Sequence, residues 1–331
     1  MTDTHQTNQP NDGVAVAGSF ASTPTSTSAP VTAESTPVRD GTDAANPGST
    51  PAPDQPARTR TRDLSSIADR LSERDWAVLR SVAAHRFLTS AQITRLHFAG
   101  HADTSGPVLA RRTLGRLRSR RLLASLERRI GGVRAGSSGL VYHVDVVGDR
   151  LLRRESGRTS RRRFSSPSPT FLRHTLAVAQ THILLLEASR AGQCELVRCE
   201  IEPASWRRHL GLGGARLTLK PDLFAETATD HDSAFTTSWF IEVDLGTEHQ
   251  PTLLRKCHDY DVYYRSGAEQ AEHGVFPLVV WIMTASSPEA TERRCTALRQ
   301  VIDKDQHLDS ALFHVITPDQ LIPLIKNGGT R

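Results

Sequence analysis

The sequence predicts an α+β protein with two domains, and three observations predict it. Residues 1–62 consist mainly of Thr, Ser, Pro, Ala, Gly and Asp, so we predict a disordered tail there. Apolar residues at helical spacing dominate residues 65–155, whereas strand-like apolar runs alternate with helical segments over residues 171–320. Residues 156–170, between these segments, are polar and rich in Arg and Pro, which predicts an interdomain linker.

Positive charge is concentrated in the first predicted domain. The 331-residue chain carries a net charge of +5. Residues 65–163 carry +13, with Arg but no Lys, whereas residues 1–64 carry −3 and residues 164–331 carry −5. This distribution predicts a polyanionic partner for the first domain only.

Composition argues against a secreted or membrane protein. The four Cys residues are too few and too scattered for a disulfide framework. The N-terminus lacks the basic and apolar regions of a signal peptide, and the longest apolar runs, such as residues 275–283, are too short to span a bilayer. We therefore predict a cytoplasmic protein without a membrane partner.

The first domain shows three helices followed by a hairpin. Ser72 and Asp75 frame the first helix start, and Thr89 or Ser90 caps the second helix. The third helix turns its leucines inward and its arginines outward. Two β-like runs around a Gly-rich turn follow, and then a short final helix over residues 147–156.

This order of elements is typical of a winged helix-turn-helix, whose third helix enters the DNA major groove while its wing follows the backbone. The Arg guanidinium can grip phosphate or guanine at two points. We therefore predict that the domain binds double-stranded DNA through arginines of the third helix and the wing. They are Arg111, Arg112, Arg116, Arg118, Arg128, Arg129 and Arg134. The alternatives are a protein-contacting winged helix and a merely solvated Arg face.

The second domain begins with a long helix over residues 171–192. Strands are predicted at 194–202, 215–227, 238–246, 276–284 and 311–317, and helices at 251–267 and 287–302. A helix before three strands, then a helix and a further strand, resembles the core of the restriction-endonuclease-like α/β fold with a mixed central sheet. The resemblance implies that an Asp at one strand and an acid-x-Lys on its neighbour form a Mg²⁺ site.

The acids at the corresponding positions are Asp222, Glu242 and Asp244. Side chains alternate along a strand, so Glu242 and Asp244 point to the same face. The resemblance implies that Asp222 and Glu242 hold Mg²⁺. Asp244, on the same face, is a third candidate ligand, and Glu187 or Glu200 is a candidate extra acid. Asp244 stands where that fold has Lys.

The missing Lys has a candidate substitute on the following helix. Lys256 is one of only four Lys residues in the chain, and a Lys on the helix occurs in some members of that nuclease superfamily. The catalytic candidates are therefore Asp222, Glu242, Asp244 and Lys256.

A narrower resemblance rests on Pro221-Asp222, the run Glu242–Glu248 ("EVDLGTE"), Lys256, Tyr260 and His174. This combination, over roughly residues 70–300, resembles the replication-relaxation proteins of plasmids and other mobile elements. The resemblance implies a role in replication, relaxation or mobilisation, with a relaxase or replication proteins as further partners.

Three interpretations of the acids remain open from sequence. The site is a Mg²⁺-dependent DNA endonuclease or nickase, or it is the inactive remnant of one in a transcriptional or copy-number regulator. In the third interpretation the acids are structural. Glu242 then pairs with Lys256 or an Arg, and Asp244 to Glu248 cap the following helix.

Overall fold

The computed structural model describes residues 61–102, 104–126, 139–161 and 164–330. Within these ranges the protein is α+β, with ten α-helices and a mixed five-stranded sheet, which confirms the predicted class. The predicted tail lies outside the described residues except for its last two positions. No described helix combines the length and apolar character needed to cross a bilayer.

The N-terminal part contains five helices and three short strands. They are α1 (Thr61–Asp69), α2 (Glu73–His85), β1 (Leu88–Thr89), α3 (Ser90–His97), α4 (Ser105–Ser119), β2 (Leu123–Ser125), β3 (Val141–Val144) and α5 (Val146–Ser156). Ser72 caps α2 in a capping box with Asp75, and Thr89 caps α3 with Gln92, as the sequence predicts. Helix α1 is an addition to the predicted elements.

The three short strands form an antiparallel sheet in the order β1-β3-β2. The helices enclose a core that includes Leu79, Val82, Ile93, Leu114 and Leu117, all at most 1% exposed. The apolar faces of α2, α3 and α4 therefore pack against one common core. Residues 127–138, which lie between β2 and β3 and include Arg128, Arg129 and Arg134, are outside the described residues.

The C-terminal part is built around the five-stranded sheet. Its elements are α6 (Pro169–Arg190), β4 (Glu195–Ile201), β5 (Arg207–Leu210), β6 (Arg216–Leu219), β7 (Leu223–Ala228), β8 (Thr237–Asp244), α7 (Gln250–Ser266), α8 (Ala268–His273), β9 (Leu278–Met283), α9 (Pro288–Lys304), β10 (Phe313–Ile316) and α10 (Leu321–Lys326). The sheet order is β10-β9-β8-β7-β4. Strand β7 is antiparallel to β4 and β8, whereas β9 is parallel to β8 and β10.

The single strand predicted at 215–227 is wrong, because the chain forms two strands there. Strand β6 pairs with β5 in a separate two-stranded sheet, and β7 joins the main sheet. The break falls at Lys220–Asp222. Pro221 has no N–H to give to a strand ladder, and its carbonyl accepts a hydrogen bond from Ser205 Oγ at 2.6 Å. The break places Asp222 immediately before β7.

Helix α6 packs against both parts of the protein. Ala179 and Ile183 belong to the core of the N-terminal helices, whereas Val178 and Leu185 belong to the core beneath the main sheet. The apolar surface of α6 is therefore wider than one stripe, as expected for a helix covered on two sides. This helix also carries His174 to the edge of the acidic site.

Candidate active site

Strand β8 separates its side chains onto two faces. Trp239, Ile241 and Val243 pack in the core on the side of α6 and α10. Phe240 lies in the opposite core, with residues of α7 and α9. Because side chains alternate, Glu242 shares the face of Phe240, and so does Asp244. A strand buried on both sides therefore places two acids on the face covered by α7 and α9.

Asp222 lies opposite Glu242 across the β7–β8 pair. Leu223 pairs with Ile241, and the next position of this antiparallel register brings Asp222 to Glu242. Asp222 Oδ2 accepts the Val243 N–H at 2.8 Å and lies 3.1 Å from His174 Nε2. The hydrogen bond that the His174 ring donates to the Asp222 carboxylate raises the pKa of His174. Strand pairing thus fixes one carboxylate beside another, and we name Asp222 and Glu242 the acid pair.

Glu242 is held by two donors from α7. Its Oε1 accepts the Tyr260 hydroxyl at 2.7 Å, and its Oε2 lies 3.3 Å from Lys256 Nζ. Glu242 is only 3% exposed. Burial, followed by repulsion from Asp222, raises the pKa of Glu242 to about 8 despite both donors. At neutral pH the acid pair therefore retains a proton in the absence of a further cation.

Lys256 joins the acid pair to the turn after β8. Its Nζ lies 3.0 Å from Glu248 Oε1 and 5.7 Å from the centre of the Trp281 ring. Burial alone would lower the pKa of Lys256, but attraction by Glu242 and Glu248 exceeds that effect and the pKa is raised. Lys256 therefore stays protonated and supplies a fixed positive charge.

Asp244 has different surroundings from Glu242. Its Oδ2 lies 2.5 Å from Arg294 Nε on α9, and Arg294 Nη2 donates to the Glu248 carbonyl. Asp244 is 3% exposed, and its Oδ1 has no hydrogen-bond partner among the described residues. The structure thus brings Asp222, Glu242 and Lys256 together, with His174 and Tyr260, and pairs Asp244 with Arg294.

The backbone conformation at Gly246 explains why the acidic run contains a glycine. Its φ of 75° lies in the left-handed region, which favours glycine. A Cβ at this position would also come within 3.0 Å of the Thr284 carbonyl oxygen. The glycine therefore allows the chain to turn from β8 toward α7 closely past the end of β9, which brings Glu248 back to Lys256.

Neither extra acid considered from sequence reaches the acid pair's hydrogen-bond network. Glu187 pairs with Arg95, which lowers its pKa, and Glu200 pairs with Arg198 and Arg207. The predicted capping role for Glu248 is not observed, since α7 has His249 at its N-cap without a side-chain cap hydrogen bond. Sequence reasoning missed Arg294. No local signal marks it, because it lies 50 residues after Asp244 on another helix.

The donor set of the acid pair fits a Mg²⁺ ion. Among the described residues, no three His, Cys, Asp or Glu side chains form a metal-binding group. Mg²⁺, however, usually retains waters and is held by one or two carboxylates together with substrate phosphate. Burial and repulsion from Asp222 raise the pKa of Glu242, although Lys256 lies beside it. A divalent cation between two facing carboxylates would offset that repulsion.

The outward face of α4 carries the predicted DNA-binding arginines. Arg111, Arg112 and Arg118 are exposed. Arg111 and Arg112 make no hydrogen bond or ion pair within the part of the chain that the structure describes. Arg116 differs, because its Nη2 lies 2.6 Å from Oδ1 of the buried Asp75. Two predicted contact residues are therefore uncommitted, whereas a third also anchors α4 to α2.

These features define an α+β protein with an acid pair buried where β7 begins opposite the end of β8. A family model described as replication-relaxation matches residues 79–279, and the chain belongs to this family. The resemblance drawn from the acidic run is confirmed. Membership indicates a role in replication or relaxation of a plasmid or other mobile element. No curated protein and no solved structure matches the chain.

Proposed function

We propose that the protein binds double-stranded DNA of a plasmid or other mobile element through a winged helix-turn-helix. The order of α2, α3, α4 and the β2–β3 pair supports this assignment. Helix α4 takes the position of the recognition helix. Arg111, Arg112 and Arg118 stand on its exposed face, where guanidinium groups can contact phosphates and base edges.

The second part of the proposal is that the acid pair belongs to a restriction-endonuclease-like domain that cleaves DNA. In support, α6 precedes strands β4, β7 and β8, and α7 then leads to the parallel strand β9. Asp222 precedes the second of these strands, and Glu242 lies two residues before the end of the third. This is the arrangement that the sequence resemblance implies for an Asp and its partner acid.

Each residue of the site has a role that its contacts support. Asp222 and Glu242 would hold Mg²⁺, which supplies positive charge against a scissile phosphate and its attacking water. Lys256, protonated and partly exposed, would stabilise the charge that develops on the phosphoryl oxygens. His174 would fix the orientation of Asp222 through its ring nitrogen. Asp244, which Arg294 already neutralises, would position the strand end.

One observation carries the catalytic proposal. Glu242 is buried facing a second carboxylate, and its pKa is raised to about 8. A purely structural acid needs a compensating partner of its own, of the kind that Asp244 has in Arg294. Lys256, by contrast, is shared between Glu242 and Glu248.

The experiment combines cleavage and binding on the full chain. Supercoiled plasmid with Mg²⁺ or Mn²⁺ should be nicked or linearised, and Glu242→Ala should abolish cleavage without weakening DNA binding. Arg111→Ala with Arg112→Ala should weaken duplex binding and reduce its salt dependence, with each lost phosphate contact lowering the slope by about 0.9. Arg293→Ala, on an exposed position of α9, is the matched control.

The outcomes separate the two claims. Absence of cleavage with both metals on supercoiled, linear and single-stranded DNA contradicts the catalytic claim. Unchanged duplex affinity in the α4 double variant contradicts the recognition-helix claim. DNA binding without cleavage would instead support a transcriptional or copy-number regulator. That second function is favoured by Asp244, which occupies the strand position of the expected Lys and is held by Arg294.

A further inference from the structure

A cavity of about 610 Å³ lies between β3, the start of α5 and the start of α6. We name it the aromatic cavity, after the four rings that line it: Phe87, His143, Phe164 and Phe171. Its volume is within the range of small-molecule and nucleotide sites in proteins. None of these residues belongs to the acid pair or to α4.

Phe164 and Phe171 are exposed, whereas Phe87, only 6% exposed, belongs to a small core with Val141 and Leu172. The His143 and Phe164 rings stack with centroids 4.0 Å apart, whereas Phe87 meets His143 and Phe171 edge to face at 6.3 and 6.5 Å. Phe164 is 55% exposed and Phe171 is 38% exposed. Burial lowers the pKa of His143, so its ring is neutral and presents a flat π surface. Exposed aromatic faces around an open cavity are a binding surface for another flat ring.

Guanidinium groups line the same cavity. Arg86 and Arg161 are among its lining residues, and Arg161 is exposed. The Arg86 guanidinium lies 5.8 Å from the centre of the Phe171 ring and 3.3 Å from a carboxylate oxygen of Glu202. Two aspartates also line the cavity, but each already forms an ion pair with an arginine outside it. The exposed aromatic faces beside Arg161 therefore match a ligand that combines a planar ring with an anionic group. An apolar side chain of a partner protein would use the rings but not the charge.

The aromatic cavity shares a lining residue with a cleft at Asp222, one member of the acid pair. Arg86 also lines a small cleft with His174 and Asp222, so one residue borders both sites. A chain of nucleotides that places one base among the rings would carry its phosphates past Arg86 toward Asp222. Aromatic side chains that stack bases, within a positively charged groove, are the usual means of binding single-stranded nucleic acid.

We propose that the aromatic cavity binds the base of an unpaired DNA nucleotide whose neighbouring phosphate lies toward the acid pair. The inference deepens the proposed function and rests on its claim that the protein binds DNA. It assigns recognition of the unpaired strand to Phe164 and Phe171, separately from recognition of the duplex by α4.

The test measures DNA binding by fluorescence anisotropy in EDTA, so that cleavage and metal binding play no part. The probes are a single-stranded oligonucleotide of about 12 nucleotides and a duplex of the same sequence. Phe164→Ala with Phe171→Ala should weaken single-strand binding at least about tenfold and leave duplex affinity unchanged, because a stacked base contributes about that factor or more. Phe235→Ala, at a phenylalanine that is 84% exposed elsewhere, is the matched control.

Each outcome has a defined meaning. Restoration of single-strand binding by Phe164→Trp with Phe171→Tyr supports stacking. Equal single-strand affinity in the wild type and the double alanine variant overturns the inference, as does failure of the wild-type protein to bind the single strand. If duplex binding is retained in those cases, only this inference fails. If the wild-type protein binds neither probe, the proposed function fails with it.

Discussion

Glu242 and Asp244 lie two residues apart on one strand, face the same way and are equally buried, yet their surroundings differ. Asp244 meets Arg294, whose guanidinium also reaches the Glu248 carbonyl. Glu242 meets an ammonium and a phenol from α7, and it faces a second carboxylate, Asp222. Asp244 therefore belongs to an ion pair with Arg294, whereas Glu242 belongs to a pair of carboxylates with excess negative charge.

The difference shows how one strand end can combine stability with chemistry. A guanidinium bound to a buried carboxylate gives a fixed geometry with little tendency to exchange partners. Two facing carboxylates must instead keep a proton or attract a cation, and either state can change with pH or with a bound ion. We therefore expect substitutions at Asp244 to affect folding, and substitutions around Glu242 to affect proton and cation binding.

Asp244→Ala should give the largest loss of stability. It leaves the Arg294 guanidinium, 21% exposed, without its carboxylate. Removing one partner of a buried pair typically costs about 3 kcal/mol in the free energy of unfolding. Urea unfolding followed by circular dichroism measures this loss, with Asp303→Ala as the exposed control. A loss no greater than in the control would show that Arg294 does not depend on Asp244.

Glu242→Gln should change the free energy of unfolding less than Asp244→Ala does. At high pH it should increase that free energy. The pKa of Glu242 is about 8 in the folded protein, against an ordinary value of 4.5. The folded state therefore binds a proton that the unfolded chain releases. This contribution to the free energy of unfolding is fully present below pH 4.5 and is lost as the pH rises through 8.

Gln mimics the protonated acid at every pH. The variant should therefore be more stable than the wild type at pH 8.5, by at least about 1.4 kcal/mol, which is the equivalent of one pKa unit. The difference should shrink toward pH 5. Denaturant unfolding across this range gives the comparison, with the exposed Glu272→Gln as control. Parallel stability curves for Glu242→Gln and the wild type would contradict the raised pKa.

The contrast between the two acids also marks what the sequence can predict. Alternation along β8 predicts their common face, and the resemblance to the nuclease fold implies that Asp222 approaches Glu242, as the register of β7 and β8 shows. These features depend on neighbouring residues and on adjacent strands. The α+β class and the capped starts of α2 and α3 follow from similarly local patterns.

Pairing across distant elements was not predictable in the same way. Arg294 reaches Asp244 only because β9 runs parallel to β8 and returns the chain through α9. The β5–β6 hairpin likewise depends on pairing outside the main sheet. The continuous β-like run over residues 215–227 therefore predicts one strand where the protein forms two. Many acids and arginines in this chain have the same local sequence features as Asp244 and Arg294. Only the tertiary fold decides which of them form ion pairs.

Tyr260→Phe should produce the smallest change and should distinguish proton binding at Glu242 from simple loss of a hydrogen bond. The Tyr260 hydroxyl donates to Glu242 Oε1 and lowers the pKa of that acid. Its removal should cost about 1 kcal/mol and raise the pKa further, so that the fall in stability with pH moves to higher pH.

Tyr263 supplies a matched control on the same helix, because its buried hydroxyl donates to Glu269 instead. Tyr263→Phe should lower the free energy of unfolding by a similar amount. It should not move the pH at which the contribution of Glu242 is lost. Equal pH profiles for the two variants would show that Tyr260 acts only through packing and not on the protonation of the acid pair.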